Sequence, residues 1–275
     1  MDAPLELTVA HESALKAGSI IDDRVGTDFR SAEGTVAKES GNDLVTDVDR
    51  GCQAVIVETI NDRFPDDRII GEEDDQPNTT GDGREWIVDP IDGTANFATG
   101  FPYYCVSIAF HVDGDPTIGV IHSPETALGR TFYAVAGDGA YCSTDHSLDG
   151  EPIHVSDHDT LDGALVQSRL SERSSARRAR DLAMVVPLLE RGVKFRRTAS
   201  TALNLCQVAT GNADGYVVGS SNVWDFAAGE LLVAEAGGTV SRHETTPMDA
   251  QVIGSNGHIQ SALEGLVEHT TGRER

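Results

Sequence analysis

The 275-residue chain reads as a layered α/β protein of mixed (α+β) character, and three features of the sequence predict it. Two stretches near the start carry apolar residues at helical spacing. A β-rich run over residues 104–141 is cut by Gly and Pro turns, which predicts three or four antiparallel strands. From about residue 164 onward, short apolar runs alternate with helix-period segments, as in stacked strand–helix layers. This length suits one large domain or two of ordinary size. Polar turn residues cluster at 150–162, so the expected halves are an N-terminal α+β half over 1–155 and a C-terminal α/β half over 156–275.

Each element has its own signal. Residues 5–25 have helical spacing and few breakers. Residues 34–41 predict a short strand and turn. Residues 47–64 predict a second helix with Val48, Cys52, Val55, Ile56 and Ile60 on one face, stopped by Pro65. Ile69 and Ile70 form a short strand that runs into Gly71-Glu72-Glu73-Asp74-Asp75. Residues 76–84 are polar and Gly-rich, hence a surface loop. Ile87-Val88-Asp89 is a buried strand end. In the second half, strands are expected at 164–167, 194–197, 214–218 and 251–254, and helices at 174–189, 200–210, 225–236 and 256–267.

Composition narrows the function. Forty-five acidic against 21 basic residues give a formal charge of −24. Such a surface repels nucleic acid and anionic lipid, so no nucleic-acid or membrane partner is expected. Lysine is confined to Lys16, Lys38 and Lys194, and with abundant Asp this predicts adaptation to high salt, where screening removes self-repulsion. No apolar run reaches the ~20 residues of a membrane span. The first residues lack the basic-then-apolar pattern of a signal peptide, so a cytoplasmic location is expected. Cys52, Cys105, Cys142 and Cys206 are scattered, which predicts buried thiols rather than a zinc site. The nine histidines lack metal-ligand spacing and are expected at the surface or as satisfied core groups.

Chemistry concentrates in Trp86-Ile87-Val88-Asp89-Pro90-Ile91-Asp92-Gly93-Thr94. An apolar run delivers two carboxylates into a turn. Pro90 fixes one dihedral, Gly93 leaves room for a ligand near the main chain, and Thr94 adds a hydroxyl. Hard oxygen ligands beside a hydroxyl suit Mg²⁺-dependent hydrolysis of a phosphate ester. Three further acidic groups stand at Asp43-Leu44-Val45-Thr46-Asp47-Val48-Asp49, at Glu72-Glu73-Asp74 and at Asp225. Taken singly, each reads equally as a helix N-cap or as surface charge. Three of the four groups follow or flank apolar strand ends, where sites form in α/β folds.

In family order, the pieces Asp43-Leu44-Val45-Thr46-x-x-Asp49, Gly71-Glu72-Glu73, Trp86 to Phe97, Trp224-Asp225-x-Ala227-Ala228-Gly229 and Glu235-Ala236-Gly237-Gly238 resemble the inositol monophosphatase superfamily of Mg²⁺-dependent, lithium-sensitive phosphatases. The resemblance runs from about residue 5 to 268. It implies a layered αβαβα sandwich of the sugar phosphatase type, a sugar or inositol phosphate as substrate, and a homodimer. It also implies that Glu72, Asp89 and the Ile91 carbonyl hold one Mg²⁺. Asp89, Asp92 and Asp225 would hold a second, and a third ion would lie near Glu72 in some members. Li⁺ would inhibit. Thr94, Asp49 and Glu72 would be catalytic, with Thr94 donating to Asp49 and orienting the attacking water. Substrate contacts would come from Asp92, Gly93, Thr94, Ser200, Thr201 and Asp225, with the Gly93 and Thr94 N–H groups on phosphate.

Some positions depart from the pattern. Where many inositol-specific members carry a hydroxyl-binding Glu, this chain has Val218. The segment before the 200–210 helix reads Ala199-Ser200-Thr201-Ala202. These differences weaken strict inositol specificity. Archaeal members of the family often accept fructose 1,6-bisphosphate as well, so with the salt-adapted composition the resemblance implies fructose 1,6-bisphosphate hydrolysis, alone or beside inositol 1-phosphate hydrolysis. The alternatives are a 3′-phosphoadenosine phosphate phosphatase of the same superfamily and a non-enzymatic regulatory protein on the phosphatase fold. Lys38 has a site reading and a surface reading. Arg196 and Arg197 have a reading as contacts to a distal phosphate, and a stronger one as solvated strand-end charge.

Overall fold

The computed structural model describes residues 3–24, 35–38, 43–74, 83–171 and 174–271, with the backbone alone for 35–38, 43–46 and 267–271. Most of the loop expected over 76–84, the ends of the strand and turn expected over 34–41, and the side chains of Lys38 and Asp43 lie outside the described residues.

The chain opens with α1 (Leu5–Arg24), the antiparallel pair β1 (Thr35–Lys38) and β2 (Asp43–Thr46), and α2 (Asp47–Asn61). Next come β3 (Arg68–Gly71), β4 (Arg84–Asp92), the short α3 (Thr94–Thr99), β5 (Cys105–Val112), β6 (Asp115–Ser123), β7 (Arg130–Val135), β8 (Gly139–Ser143) and β9 (Glu151–Pro152). The second half runs β10 (Leu165–Ser168), α4 (Ser175–Glu190), β11 (Lys194–Arg197), α5 (Thr201–Ala209), β12 (Gly215–Asn222), α6 (Val223–Glu235), β13 (Thr239–Thr246), β14 (Asp249–Ser255) and α7 (Gln260–Thr271).

Strands β3 to β9 form one sheet in sequence order, parallel only between β3 and β4. The second sheet has the order β11-β10-β12-β14-β13. Three apolar clusters stack these parts into five layers. Helices α1 and α2 cover one face of the large sheet. Helices α5 and α6 fill the space between the sheets. Helices α4 and α7 cover the outer face of the second sheet. The order is therefore αβαβα, as the family resemblance implies.

The middle layer explains two sequence features. A helix between two sheets has no solvent face, so it needs apolar residues all round. Accordingly, α5 buries every residue but Gln207. β5, flanked by helix layers on both faces, likewise reads as a continuous apolar run, not an alternation. Close approach sets the glycine at Gly119, where a Cβ would stand 2.7 Å from the Ala228 carbonyl oxygen of α6. The start of β4 is fixed by an aromatic stack of Trp86 with Phe64 and Phe110, at centroid distances of 5.5 and 4.7 Å. The Trp86 indole also donates to Asp67 at 2.9 Å.

Several expected boundaries shift. The second helix starts at Asp47 as expected but ends at Asn61, before the expected 64, and Asp43–Thr46 ahead of it is a strand. The strand expected at 87–89 extends from Arg84 to Asp92. Asp225 does not open its helix; α6 starts at Val223, with Asn222 as N-cap. Likewise α7 starts at Gln260, four residues after the expected 256. β13 and α3 were not expected. β13 is an edge strand with exposed, polar side chains and so lacks an apolar signal. α3 is only six residues long.

Candidate active site

Asp89 and Asp92 are three residues apart, and in a regular strand they would face opposite sides of the sheet. The pairing of β4 with β5 prevents this. Asp89 lies opposite Ser107 and Asp92 opposite Cys105, so three steps on β4 match two on β5. The one-residue bulge over Pro90-Ile91 flips the parity and brings both acids to one side. Asp225 joins them from the first turn of α6. Ligand atoms of the three buried acids lie within 4.8 Å of one another.

Each acid is held by one oxygen. Asp89 Oδ1 accepts from Ile91 N at 3.0 Å. Asp92 Oδ2 accepts from the Ser200 hydroxyl at 2.7 Å and from Ala202 N at 2.6 Å, both at the start of α5. Asp225 Oδ2 accepts from the Ser221 hydroxyl at 2.8 Å and Asn222 N at 3.1 Å, with Arg169 Nη2 3.2 Å away. Donors at helix N-termini hold carboxylates well, because backbone N–H groups there lack partners and the helix dipole favours negative charge.

Burial drives up the pKa of Asp89 well above the usual carboxylate range, and Glu72, Asp92 and Asp225 add repulsion. Burial and the Asp225 charge push Asp92 up to about 7, although Ser200, Ala202 and Arg169 pull it back. Acids gathered at this cost are a fit for hard divalent cations, which take oxygen ligands and supply the missing charge.

Glu72 follows β3 and hydrogen-bonds to Asp89, outside the group of three. Its turn is set by Gln53 of α2, which donates to Asp74 at 2.8 Å and accepts from Glu73 N at 2.9 Å. A Cβ on Gly71 would collide with that amide at 2.5 Å. The Thr94 hydroxyl lies between Asp49 Oδ1, at 3.3 Å, and the Ile91 carbonyl, at 3.0 Å. Asp49 is buried on α2, whereas its neighbour Asp47 is exposed. Gly93 has a structural reason beyond ligand access: its φ is +98°, and a Cβ would stand 2.9 Å from the Tyr103 carbonyl oxygen. Asn96 ties the halves together by donating to the carbonyls of Tyr103 and Thr198, both at 2.7 Å.

The sequence pattern of the inositol monophosphatase family matches residues 5–272. The chain belongs to this family. Among curated relatives, Nus factor SuhB of Escherichia coli is 36% identical over 236 residues, covering 86% of this chain and 84% of the relative. Inositol monophosphatase from Anabaena superposes with a TM-score of 0.78 at 31% identity, covering 96% and 95% of the two chains. IMPase from Thermotoga maritima gives 0.81 at 31% identity, covering 98% of each.

Within this family fold, the sugar contact expected of the Ser200-Thr201 segment is a main-chain one, and the two side chains serve inside the protein. Both are fully buried. The Ser200 hydroxyl is spent on Asp92, and Thr201 pairs with the Tyr216 hydroxyl at 2.9 Å. They act as supports, so any sugar contact falls to their main chain. Val218 is buried in the middle-layer core and offers nothing polar. Arg196 and Arg197 are exposed on the edge strand β11. The sequence reading missed Arg169, Ser221 and Gln53. None of them belongs to a motif, and only the packing of strands and helices brings them to the acids. His111 also departs from the expectation of satisfied core histidines: among the described residues its buried Nε2 has no hydrogen-bond partner.

Proposed function

We propose that the chain hydrolyses a phosphate monoester of a sugar or polyol, with fructose 1,6-bisphosphate or inositol 1-phosphate as the ester. The observation that carries this reading is the convergence of Asp89, Asp92 and Asp225 beside the Thr94–Asp49 pair. Glu72, Asp89 and the Ile91 carbonyl would hold one Mg²⁺, and Asp89, Asp92 and Asp225 a second; a third would lie near Glu72 if the chain follows those family members that bind one. When bound, the ions would polarise the phosphoryl group and lower the pKa of water.

The chain's own residues then position the reactants. Asp49 holds the Thr94 hydroxyl proton, which leaves the Thr94 oxygen lone pairs to orient a water for in-line attack. The Gly93 and Thr94 N–H groups would hold phosphate oxygens at the turn into α3. Ser200, Ala202, Ser221 and Asn222 keep Asp92 and Asp225 from rotating away.

The test is phosphate release from fructose 1,6-bisphosphate, inositol 1-phosphate and 3′-phosphoadenosine phosphate in molar KCl. Release that needs Mg²⁺, stops with a chelator and is inhibited by Li⁺ is expected. Absence of release from every ester would overturn the reading. That outcome would favour a regulatory protein, a second reading that the name of the SuhB relatives supports because it names no hydrolase.

The same reading takes the chain as a cytoplasmic homodimer from a high-salt cell. The charge of −24 supports salt adaptation. Exposed Leu182, Val186 and Leu189 give α4 an apolar stripe that a second copy would cover. Among the described residues no helix is long and apolar enough to cross a membrane. A melting temperature that does not rise between dilute buffer and molar KCl would reject the salt adaptation, and a monomer mass by light scattering would reject the dimer.

A further inference from the structure

Arg169 immediately follows β10 and is the cation that touches the acid group among the described residues. Its Nη2 donates to the Ser220 carbonyl at 3.0 Å and lies 3.2 Å from Asp225 Oδ2. The Asp92 and Asp181 charges also attract it. These contacts use one of its three nitrogens. Among the described residues Nε and Nη1 have no hydrogen-bond partner, so three N–H donors of a planar fork remain. The side chain is 25% exposed.

A guanidinium anchored through one nitrogen cannot swing away, and its Nε and Nη1 can each still donate a charge-assisted hydrogen bond to a phosphate or carboxylate oxygen. Its place beside Asp225 matters. The phosphoryl group that reacts belongs with the shared ions, so a cation beyond Asp225 faces the rest of the ester. An anionic ester entering a group of buried carboxylates also needs positive charge besides the ions.

We infer that the remaining N–H donors of Arg169 receive a second anionic group, a phosphate or carboxylate, carried by the alcohol part of the substrate. Arg169 thus selects esters with two anionic groups over esters with one. This inference rests on the phosphatase reading above and names its substrate class.

A matched pair tests it: fructose 1,6-bisphosphate against fructose 1-phosphate, which differ only in the distal phosphate. The wild-type chain favours the bisphosphate in kcat/KM, and Arg169→Gln lowers that preference about 10–100-fold, the worth of charged hydrogen bonds. The ratio is the readout, because loss of the contact to Asp225 can lower both rates together. Arg169→Lys keeps the charge without the fork, so its preference falls by less, and it decides the matter if the glutamine variant does not fold. Titration calorimetry gives a readout without turnover: fructose 6-phosphate binds the wild type more tightly than fructose does, and Arg169→Gln removes the difference. Equal wild-type rates on the two esters, or an unchanged ratio in both variants, would overturn the inference and leave the phosphatase reading standing. No hydrolysis of either ester would instead sink the phosphatase reading, and the inference with it.

Discussion

The two sheets each contribute one bulged strand to the site, and the two bulges do different work. In β4 the extra residue turns two carboxylates to the same side. In β12, Val218 lies opposite Val252 and Ser221 opposite Ala250, again three steps against two. This second bulge presents no cation ligand. It turns the Ser221 hydroxyl onto Asp225 and the Ser220 carbonyl onto Arg169. Its own shape is held by Asp181, which accepts from Gly219 N at 3.1 Å, and by Asp249, which accepts from the Ser220 hydroxyl at 2.6 Å. One bulge supplies the acids; the other fixes an acid supplied by a helix. Acids this close repel one another, so the supporting side must hold them in place until cations arrive.

Substitutions can sharpen that contrast. Asp89→Asn on the β4 side has the largest expected effect: kcat falls about 10³-fold or more, because ligand loss removes several kcal/mol of charge stabilisation. The rise in melting temperature on adding Mg²⁺ disappears as well. Normal turnover in this variant would break the assignment. Thr94→Ala is expected to lower kcat by about 10²-fold while Mg²⁺ still raises the melting temperature, since the lost hydroxyl orients water and does not bind the ion. A loss of the Mg²⁺ response would move Thr94 to the ligand side. Ser221→Ala on the β12 side is expected to weaken Mg²⁺ affinity about tenfold, the lower end for supports of metal ligands. Asp225 Oδ2 still keeps Asn222 N and Arg169 in this variant. An effect as large as that of Asp89→Asn would erase the distinction between the two bulges.

A smaller effect separates the site from the surrounding large sheet. Burial pushes His111 down to about 4, with Arg242 adding to the drop and Asp115 opposing it. Burial pushes His122 down to about 3, with His146 and His11 adding and Asp22 opposing. Both lie below the ordinary 6.5, so the unfolded chain takes up these protons first. Their stabilising contribution is complete above pH 6.5 and is lost as pH falls toward 4 and then 3. Urea midpoints should therefore fall between pH 7 and 5, less steeply in a His111→Gln variant. Parallel slopes would show that His111 does not titrate in this way.

The same contrast explains what could be read from the sequence. Asp89, Asp92, Gly93 and Thr94 are nearly consecutive, so their combined chemistry is visible in a line of text. The layering was legible too, because α5 and α6 are apolar all round and β5 is a continuous apolar run. Arg169 and Ser221 were not legible, since each gains its meaning from a partner strand or helix far away in sequence. β13 was invisible because an edge strand with solvent-facing side chains needs no apolar pattern. The role of the Ser200 hydroxyl was not legible either: it caps α5 and holds Asp92.

The most direct measurement is anomalous diffraction from crystals of the chain soaked in Mn²⁺ as a heavier stand-in for Mg²⁺. Two peaks are expected, one among Asp89, Asp92 and Asp225 and one between Glu72 and Asp89. Well-ordered crystals at saturating Mn²⁺ with no peak among the three aspartates would contradict the account.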